Sequence, residues 1–137
     1  MQITLKNKEL VPAVNFLQSL SLKASDSRHR SKFVKDLSKG IEDLSQSEQD
    51  LLSEIGLLNE RGEVDESNQE LVKEYNKVRK DLLEEKVVFD GGIHAKSLEM
   101  LSVILINLEI ELSGIDAEIY DRLLDEFEKN LTEKANN

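Results

Sequence analysis

The chain has 137 residues, a formal net charge of −10 and no cysteine. Its length suits one ordinary domain, and the missing cysteines exclude disulfides, thiolate metal sites and cysteine nucleophiles. Trp is absent and aromatic residues make up only 4% of the chain, which favours packed helices over a β-sandwich. No secretory signal opens the sequence, and the longest apolar run, at 101–106, is too short to span a bilayer. We expect one cytoplasmic domain, over 1–137, with no cofactor and no membrane contact.

The charge is distributed unevenly along the chain. Residues 1–40 carry a net charge of +5, residues 41–96 carry −8 and residues 97–137 carry −7. Two interpretations stay open. The oppositely charged parts face each other in the fold, or together they form a bipolar surface that selects a charged partner.

The first elements are a short strand and a short helix. Apolar and polar residues alternate over 2–6, which predicts a strand, and a helix follows over 9–20 with Pro12 in its first turn. Next, Asp26 or Ser27 is expected to cap the longest helix of the chain.

The strongest pattern in the sequence is an apolar stripe with a spacing of three and four residues. It predicts a helix that ends at about Leu58 and carries an interaction seam. The stripe consists of Val34, Leu37, Ile41, Leu44, Glu48, Leu51, Ile55 and Leu58. Ser45-x-x-Glu48 also fits the start of a separate helix. Because the stripe stays in phase across this point, we expect one continuous helix.

A second helix is predicted to run antiparallel to the first, so that residues 26–85 form a long hairpin. It follows a polar turn at 59–65 and begins at the capping box Ser67-x-x-Glu70. Its stripe has the spacing needed to pack against the long helix and consists of Leu71, Tyr75, Val78 and Leu82. Residues 86–90 are β-prone and are expected to pair with residues 2–6 as a two-stranded ribbon.

The C-terminal part, 93–131, is predicted to be a helical pair. Residues 97–108 are apolar on nearly every side, so this helix belongs in the centre of the fold or under a partner. In the last helix, over 115–131, we expect five acidic residues to face water: Glu118, Asp121, Asp125, Glu126 and Glu128. Residues 132–137 are expected to fray. The fold class is therefore mainly α, a helical bundle with a long hairpin and a small β ribbon.

The two ends of the chain resemble a known family. The segments are Ile3-Thr4-Leu5-Lys6-Asn7, Leu10-Val11-Pro12 and Phe16-Leu17 at the head, with Glu111-Leu112-Ser113-Gly114 and Glu118-Ile119-Tyr120-Asp121 in the tail. They resemble a family of small proteins of unknown function encoded by phages and prophages of Gram-positive bacteria. The resemblance implies a phage product that acts in the bacterial cytoplasm or is packed in a virion. It transfers no activity and no functional residue.

Catalytic chemistry has weak support in the sequence. His94 near Asp90 would fit a base with an orienting carboxylate, but we favour a loop histidine beside a strand end without a catalytic role. Two acidic pairs with helical spacing, Asp81-x-x-Glu84 and Glu118-x-x-Asp121, resemble in outline the Mg²⁺ ligands of all-α nucleotide pyrophosphatases. In a chain with twenty-eight acidic residues such pairs arise by chance. We expect a protein that is not an enzyme, with no metal site.

Interaction surfaces remain the best candidates for function. The hairpin stripe offers Leu44, Leu51 and Ile55 to a partner or to a second copy in a homodimer. The last helix offers Glu118, Asp121 and Asp125, which would imitate a phosphate backbone and occupy a DNA-binding channel on another protein. Exposed helices often carry such charge rows without any binding role, so a solvated acidic face is the simpler interpretation and imitation of DNA is the alternative to it.

One basic patch lies at the start of the long helix: Arg28, Arg30, Lys32, Lys35 and Lys39. These side chains are able to reach phosphates, but the acidic domain and the scarcity of aromatic residues argue against direct nucleic-acid binding. The sequence as a whole predicts a non-enzymatic phage-type protein that binds a host or phage protein through helix faces and inhibits a host defence or replication factor. The alternative is a virion or assembly accessory protein that forms a structural oligomer.

Overall fold

The expected fold class is confirmed in the computed structural model, which describes residues 1–135 and is 72% helical with one small antiparallel sheet. The elements in chain order are β1 (Ile3–Lys6), α1 (Leu10–Ser19), α2 (Ala24–Ile55), α3 (Gln69–Glu84), β2 (Lys86–Phe89), α4 (Ala95–Ile106) and α5 (Gly114–Ala135). Short 3-10 turns at Asn7–Glu9 and Gly92–His94 lead into α1 and α4. Pro12 lies in the first turn of α1, as expected.

Helix α2 is the longest element and runs unbroken through Ser45, so the alternative of two separate helices is wrong. Its 32 residues extend about 48 Å at 1.5 Å per residue. It ends three residues before the expected position because Gly56 adopts φ +88°, a left-handed conformation that favours glycine and terminates helices.

The hydrophobic core draws on only the first half of α2. Phe33, Val34 and Leu37 pack there with buried residues of β1, α1, β2, α4 and α5. Beyond Ile41, the side chains of α2 are outside this cluster, so the second half of α2 and α3 extend away from the core as a hairpin. The fold therefore has a packed body and a two-helix projection.

The hairpin contains both buried apolar side chains, Leu52 and Leu57, and an ion pair between its two helices. Glu48 Oε2 of α2 lies 3.3 Å from Arg79 Nε of α3, so the charged residue of the seam is paired across the hairpin. The N-cap of α3 is Asn68, whose side chain accepts a hydrogen bond from the Leu71 backbone N–H at 3.2 Å. The predicted cap at Ser67 is wrong by one residue, because an Asn side chain caps a helix as well as Ser does.

The ribbon pairs β1 with β2 antiparallel, in the register Ile3 with Phe89 and Leu5 with Val87. Phe89 faces the core and contacts Phe33 edge to face, with ring centroids 6.0 Å apart. Residue 40 of α2 is a glycine, and a Cβ there would lie 3.2 Å from Leu10 Cδ1 and 3.4 Å from Phe89 Cζ. The absence of a side chain at this position lets the ribbon approach the helix.

The C-terminal pair consists of α4 and α5, each displaced slightly from its predicted bounds. Helix α5 continues to Ala135, so the expectation of fraying from residue 132 is wrong as far as 135, and residues 136–137 lie outside the described part.

In the described chain, no helix is both long enough and apolar enough to cross a bilayer.

Replacing Gly40 with valine tests this close approach. The added branched side chain would overlap Leu10 and Phe89, so we expect the free energy of unfolding to fall by about 1–3 kcal/mol. Urea unfolding followed by circular dichroism measures the change. The matched control is Ser45→Val, an exposed site on the same helix, which should lower stability by no more than about 0.5 kcal/mol. Equal effects of the two variants would contradict the packing role of Gly40.

Candidate protein-interaction surfaces

Helix α4 carries an apolar face that no described part of residues 1–135 covers. Met100, Val103 and Ile106 follow each other at intervals of three residues and are 40–53% exposed. Ile110, four residues after the helix end, is also exposed. The sequence predicts this helix either in the centre of the fold or under a partner. In the structure one face of the helix lies in the core and the other faces outward.

The inward face of α4 fixes the orientation of the outward one. Leu98, Leu101 and Leu105 are buried in the core. The backbone carbonyl of Leu105 accepts a hydrogen bond from Tyr120 Oη of α5 at 2.8 Å, and Ser97 Oγ lies 3.0 Å from His29 Nδ1 of α2. These contacts hold α4 against two neighbours, so the exposed apolar face is presented on a fixed helix.

Helix α5 presents a row of carboxylates to solvent. Glu118, Asp121, Asp125 and Glu128 are all exposed, and their spacing places them on one side of the helix. We call these four residues the acidic row. Three of them are the residues predicted to imitate a phosphate backbone.

Glu126 departs from the predicted pattern because it is only 4% exposed rather than facing water. Its carboxylate accepts hydrogen bonds from Lys129 Nζ at 2.8 Å, Arg122 Nη1 at 2.9 Å and the Thr4 backbone N–H at 2.9 Å. Burial alone would raise the pKa of Glu126, but these three donors lower that pKa to about 2. Glu126 is therefore an ionised structural group.

The partners of Glu126 extend the network to the N-terminal strand. Arg122 also donates to the Thr4 carbonyl at 2.8 Å and to Glu9 Oε2 at 3.1 Å. Asn130 of α5 accepts from the Gln2 N–H. Sequence reasoning missed this group of residues, since the partners are more than 110 positions apart and each looks like an ordinary surface polar residue.

The predicted hairpin residues Leu44, Leu51 and Ile55 are half-buried on α2. Leu51 lines a shallow groove with Val78 and Leu82 of α3. Part of their apolar surface is thus covered within one chain. Their role in binding a partner stays a prediction.

The basic patch is divided between structural and free positions. Arg30 Nη1 donates to the carbonyls of Leu17 and Leu20 at 2.8 and 2.7 Å, so it binds the C-terminal end of α1. Lys32 is half-buried, whereas Arg28, Lys35 and Lys39 are exposed. A phosphate-binding role for the exposed members stays a prediction.

The acidic residues considered for Mg²⁺ binding or for catalysis have separate partners in the structure. Glu84 pairs with Lys6 at 2.7 Å and with Lys8, and these two ammonium groups lower its pKa to about 2. Asp90 accepts from the Gly92 N–H at 2.8 Å in the loop that precedes α4. Among residues 1–132, whose side chains the structure describes, no three acidic or histidine side chains converge closely enough to hold one metal ion.

Removing the charge of Glu126 tests its structural role. We expect Glu126→Gln to lower the free energy of unfolding at neutral pH by about 1–3 kcal/mol, because a neutral amide cannot bind both cations. The pKa of Glu126 is about 2 in the folded state against 4.5 for an ordinary glutamate, so its contribution is complete above about pH 4.5 and declines as pH falls towards 2.

Urea unfolding at a series of pH values measures this difference. The gap between wild type and Glu126→Gln should narrow below about pH 4.5. Glu128→Gln is the matched control, since Glu128 is exposed on the same helix. A gap that does not change with pH would contradict the assigned network.

The face of α4 and the acidic row of α5 are two exposed surfaces with different chemistry. One is apolar and fixed by buried contacts, and the other is a line of exposed carboxylates. No match to this chain is found among protein-family models, curated proteins or solved structures.

Proposed function

We propose that this protein is a non-enzymatic binding protein that docks on another protein through the exposed face of α4. The observation that supports this role is the run of Met100, Val103 and Ile106, which leaves apolar surface of one helix exposed to water. Burying it against a partner would be favourable by about 25 cal/mol for each Å² of apolar area removed from water.

The shape of the α4 face favours a helix or a shallow groove as its counterpart. Its apolar residues follow at intervals of three positions, so they lie on successive turns towards one side of the helix, where a partner helix can contact them. Lys96, Glu99 and Asn107 are exposed around it and would form a polar rim. A central apolar strip with a polar rim is the usual arrangement of a protein interface.

The setting we propose is the cytoplasm of a bacterial host, because the ends of the chain resemble phage-encoded proteins. There the protein would bind and inhibit a host defence or replication factor. A virion or assembly accessory would use the same face to build an oligomer, and a homodimer through α4 is the simplest form of that alternative.

Mutation of the α4 face tests the proposal. We expect the double variant Val103→Glu, Ile106→Glu to lose its partner by at least about tenfold, since two carboxylates would be buried without partners. The assay is affinity purification of the tagged protein from host cells, followed by mass spectrometry and then by titration of the purified partner.

The matched control is Val11→Glu, Val64→Glu, which places the same charges at two similarly exposed valines outside α4. It should bind like the wild type. Partner binding that survives the α4 variant would refute the proposed face. Dimers measured by sedimentation that the α4 variant abolishes would favour the structural oligomer over the inhibitor.

A second role is supported by the acidic row. A partner whose DNA-binding channel is basic would contact these carboxylates, as a DNA mimic requires. We expect Glu118→Gln, Asp121→Asn, Asp125→Asn to weaken partner binding by about tenfold at low salt and to flatten its dependence on salt.

Glu60→Gln, Glu63→Gln, Glu66→Gln is the matched control for the acidic row. It removes three exposed carboxylates from the hairpin turn and gives the same net charge. Equal weakening by both triple variants would show that net charge, rather than the acidic row, attracts the partner. The comparison is made by titration of the purified partner at several salt concentrations.

A further inference from the structure

The two outer edges of the β ribbon differ in their hydrogen bonding. The edge of β1 is closed, because side chains already accept from its outward backbone N–H groups. Its outward N–H groups all meet side chains: Gln2 N donates to Asn130 Oδ1 at 2.8 Å, Thr4 N to Glu126 Oε1 at 2.9 Å and Lys6 N to Glu9 Oε1 at 2.7 Å. These acceptors take the place that a third strand would occupy. The edge of β1 is therefore protected from pairing with another chain.

The edge of β2 is open. The register of the ribbon, together with the Asn7 N–H bond to the Glu85 carbonyl, turns the backbone groups of Val87 and Phe89 towards β1. Those of Lys86 and Val88 consequently point away from it. Within the described residues neither backbone has a hydrogen-bond partner on that side, and the Val88 side chain is 55% exposed.

A groove of about 410 Å³ lies between β2 and α2, and Val87, Val88 and Phe89 of β2 line it. Its wall on α2 includes Asp36, Lys39 and Asp43, and its far end is formed by the loop that carries Asp90 and Ile93. Ile93 is 95% exposed, which is an unusual position for a large apolar side chain. Strand edge, flanking helix and apolar rim together form the type of groove that accepts an extended peptide.

We propose that the open edge of β2 binds an extended segment of another protein as a third strand, and that this segment alternates basic and apolar residues. Three carboxylates against one ammonium in the groove favour a basic ligand: Asp36, Asp43 and Asp90 against Lys39. The site is separate from the α4 face of the proposed function.

The alternation follows from strand geometry. Side chains of an added strand point to alternate faces, so the residue beside Val88 lies with it on the outer face. An apolar residue there covers Val88 and reaches towards Ile93. Its two neighbours point towards α2, where Lys or Arg meets Asp36 and Asp43.

A second copy of this chain is a poorer occupant than a peptide. Edge-to-edge pairing of two β2 strands would place them about 4.8 Å apart. Helix α2 lies directly against β2 at Gly40, and packed helices need 8–10 Å between their axes. Two copies paired in this way would bring their α2 helices close together, whereas a single extended chain adds no second helix beside the groove.

The test uses the acetylated, amidated peptide Lys-Val-Lys-Val-Lys as the probe, titrated to about 1 mM against the full-length ¹⁵N-labelled protein. We expect amide shifts concentrated at Lys86, Val88 and Asp90 and along residues 36–43 of α2. The same peptide with N-methylated valines cannot pair with the strand edge, and its binding should be at least about fivefold weaker.

Two protein variants with the same change in net charge separate the groove from general attraction. Asp43→Lys should weaken binding by about fivefold or more, whereas Glu42→Lys, an exposed neighbour outside the groove, should change it by less than about twofold. Absence of shifts at 1 mM, equal binding of the N-methylated peptide, equal effects of the two variants, or shifts centred on the acidic row would each overturn the proposal. Peptide-induced dimers detected by sedimentation would also overturn it.

Discussion

The hydrogen-bond network between α5 and the outer edge of β1 is the interaction on which the arrangement of this molecule depends. It joins residues near the two ends of the chain, and its central group is the buried, ionised carboxylate of Glu126. A buried carboxylate is costly unless cations and N–H groups satisfy it, and here Arg122, Lys129 and Thr4 do so. The same contacts close one edge of the ribbon, which leaves β2 as the edge with free backbone groups in the described chain.

Helix α2 divides the molecule into two parts with different physical character. Its first half lies in a core of fully buried aliphatic and aromatic side chains. Its second half packs against α3, none of whose residues is fully buried, and contributes the buried side chain of Leu52. The hairpin therefore combines a small buried contribution, from Leu52 and Leu57, with pairwise contacts such as Glu48 with Arg79. The proposed binding surfaces all lie on the body: the apolar face of α4, the acidic row of α5 and the open edge of β2.

Much of the fold could be predicted from local pattern, but the candidate surfaces were predicted less well. The apolar stripe specified α2 and its continuity through Ser45, because a period of 3.6 residues is a property of one helix. Periodicity placed Glu126 on the solvent side of α5 with its acidic neighbours, yet it is buried. The strand that buries it comes from residues more than 120 positions away, and no local pattern records that contact.

The sequence by itself determined the helices, their apolar stripes, the two short strands and the acidic character of α5, since each depends on residues within a few turns of one another. Only the tertiary structure decided which face of α4 stays exposed, which carboxylate of α5 becomes internal and which edge of the ribbon is closed. These outcomes depend on which element lies beside which. That choice follows from the packing of the whole core, and the spacing of residues along one helix or strand does not contain it.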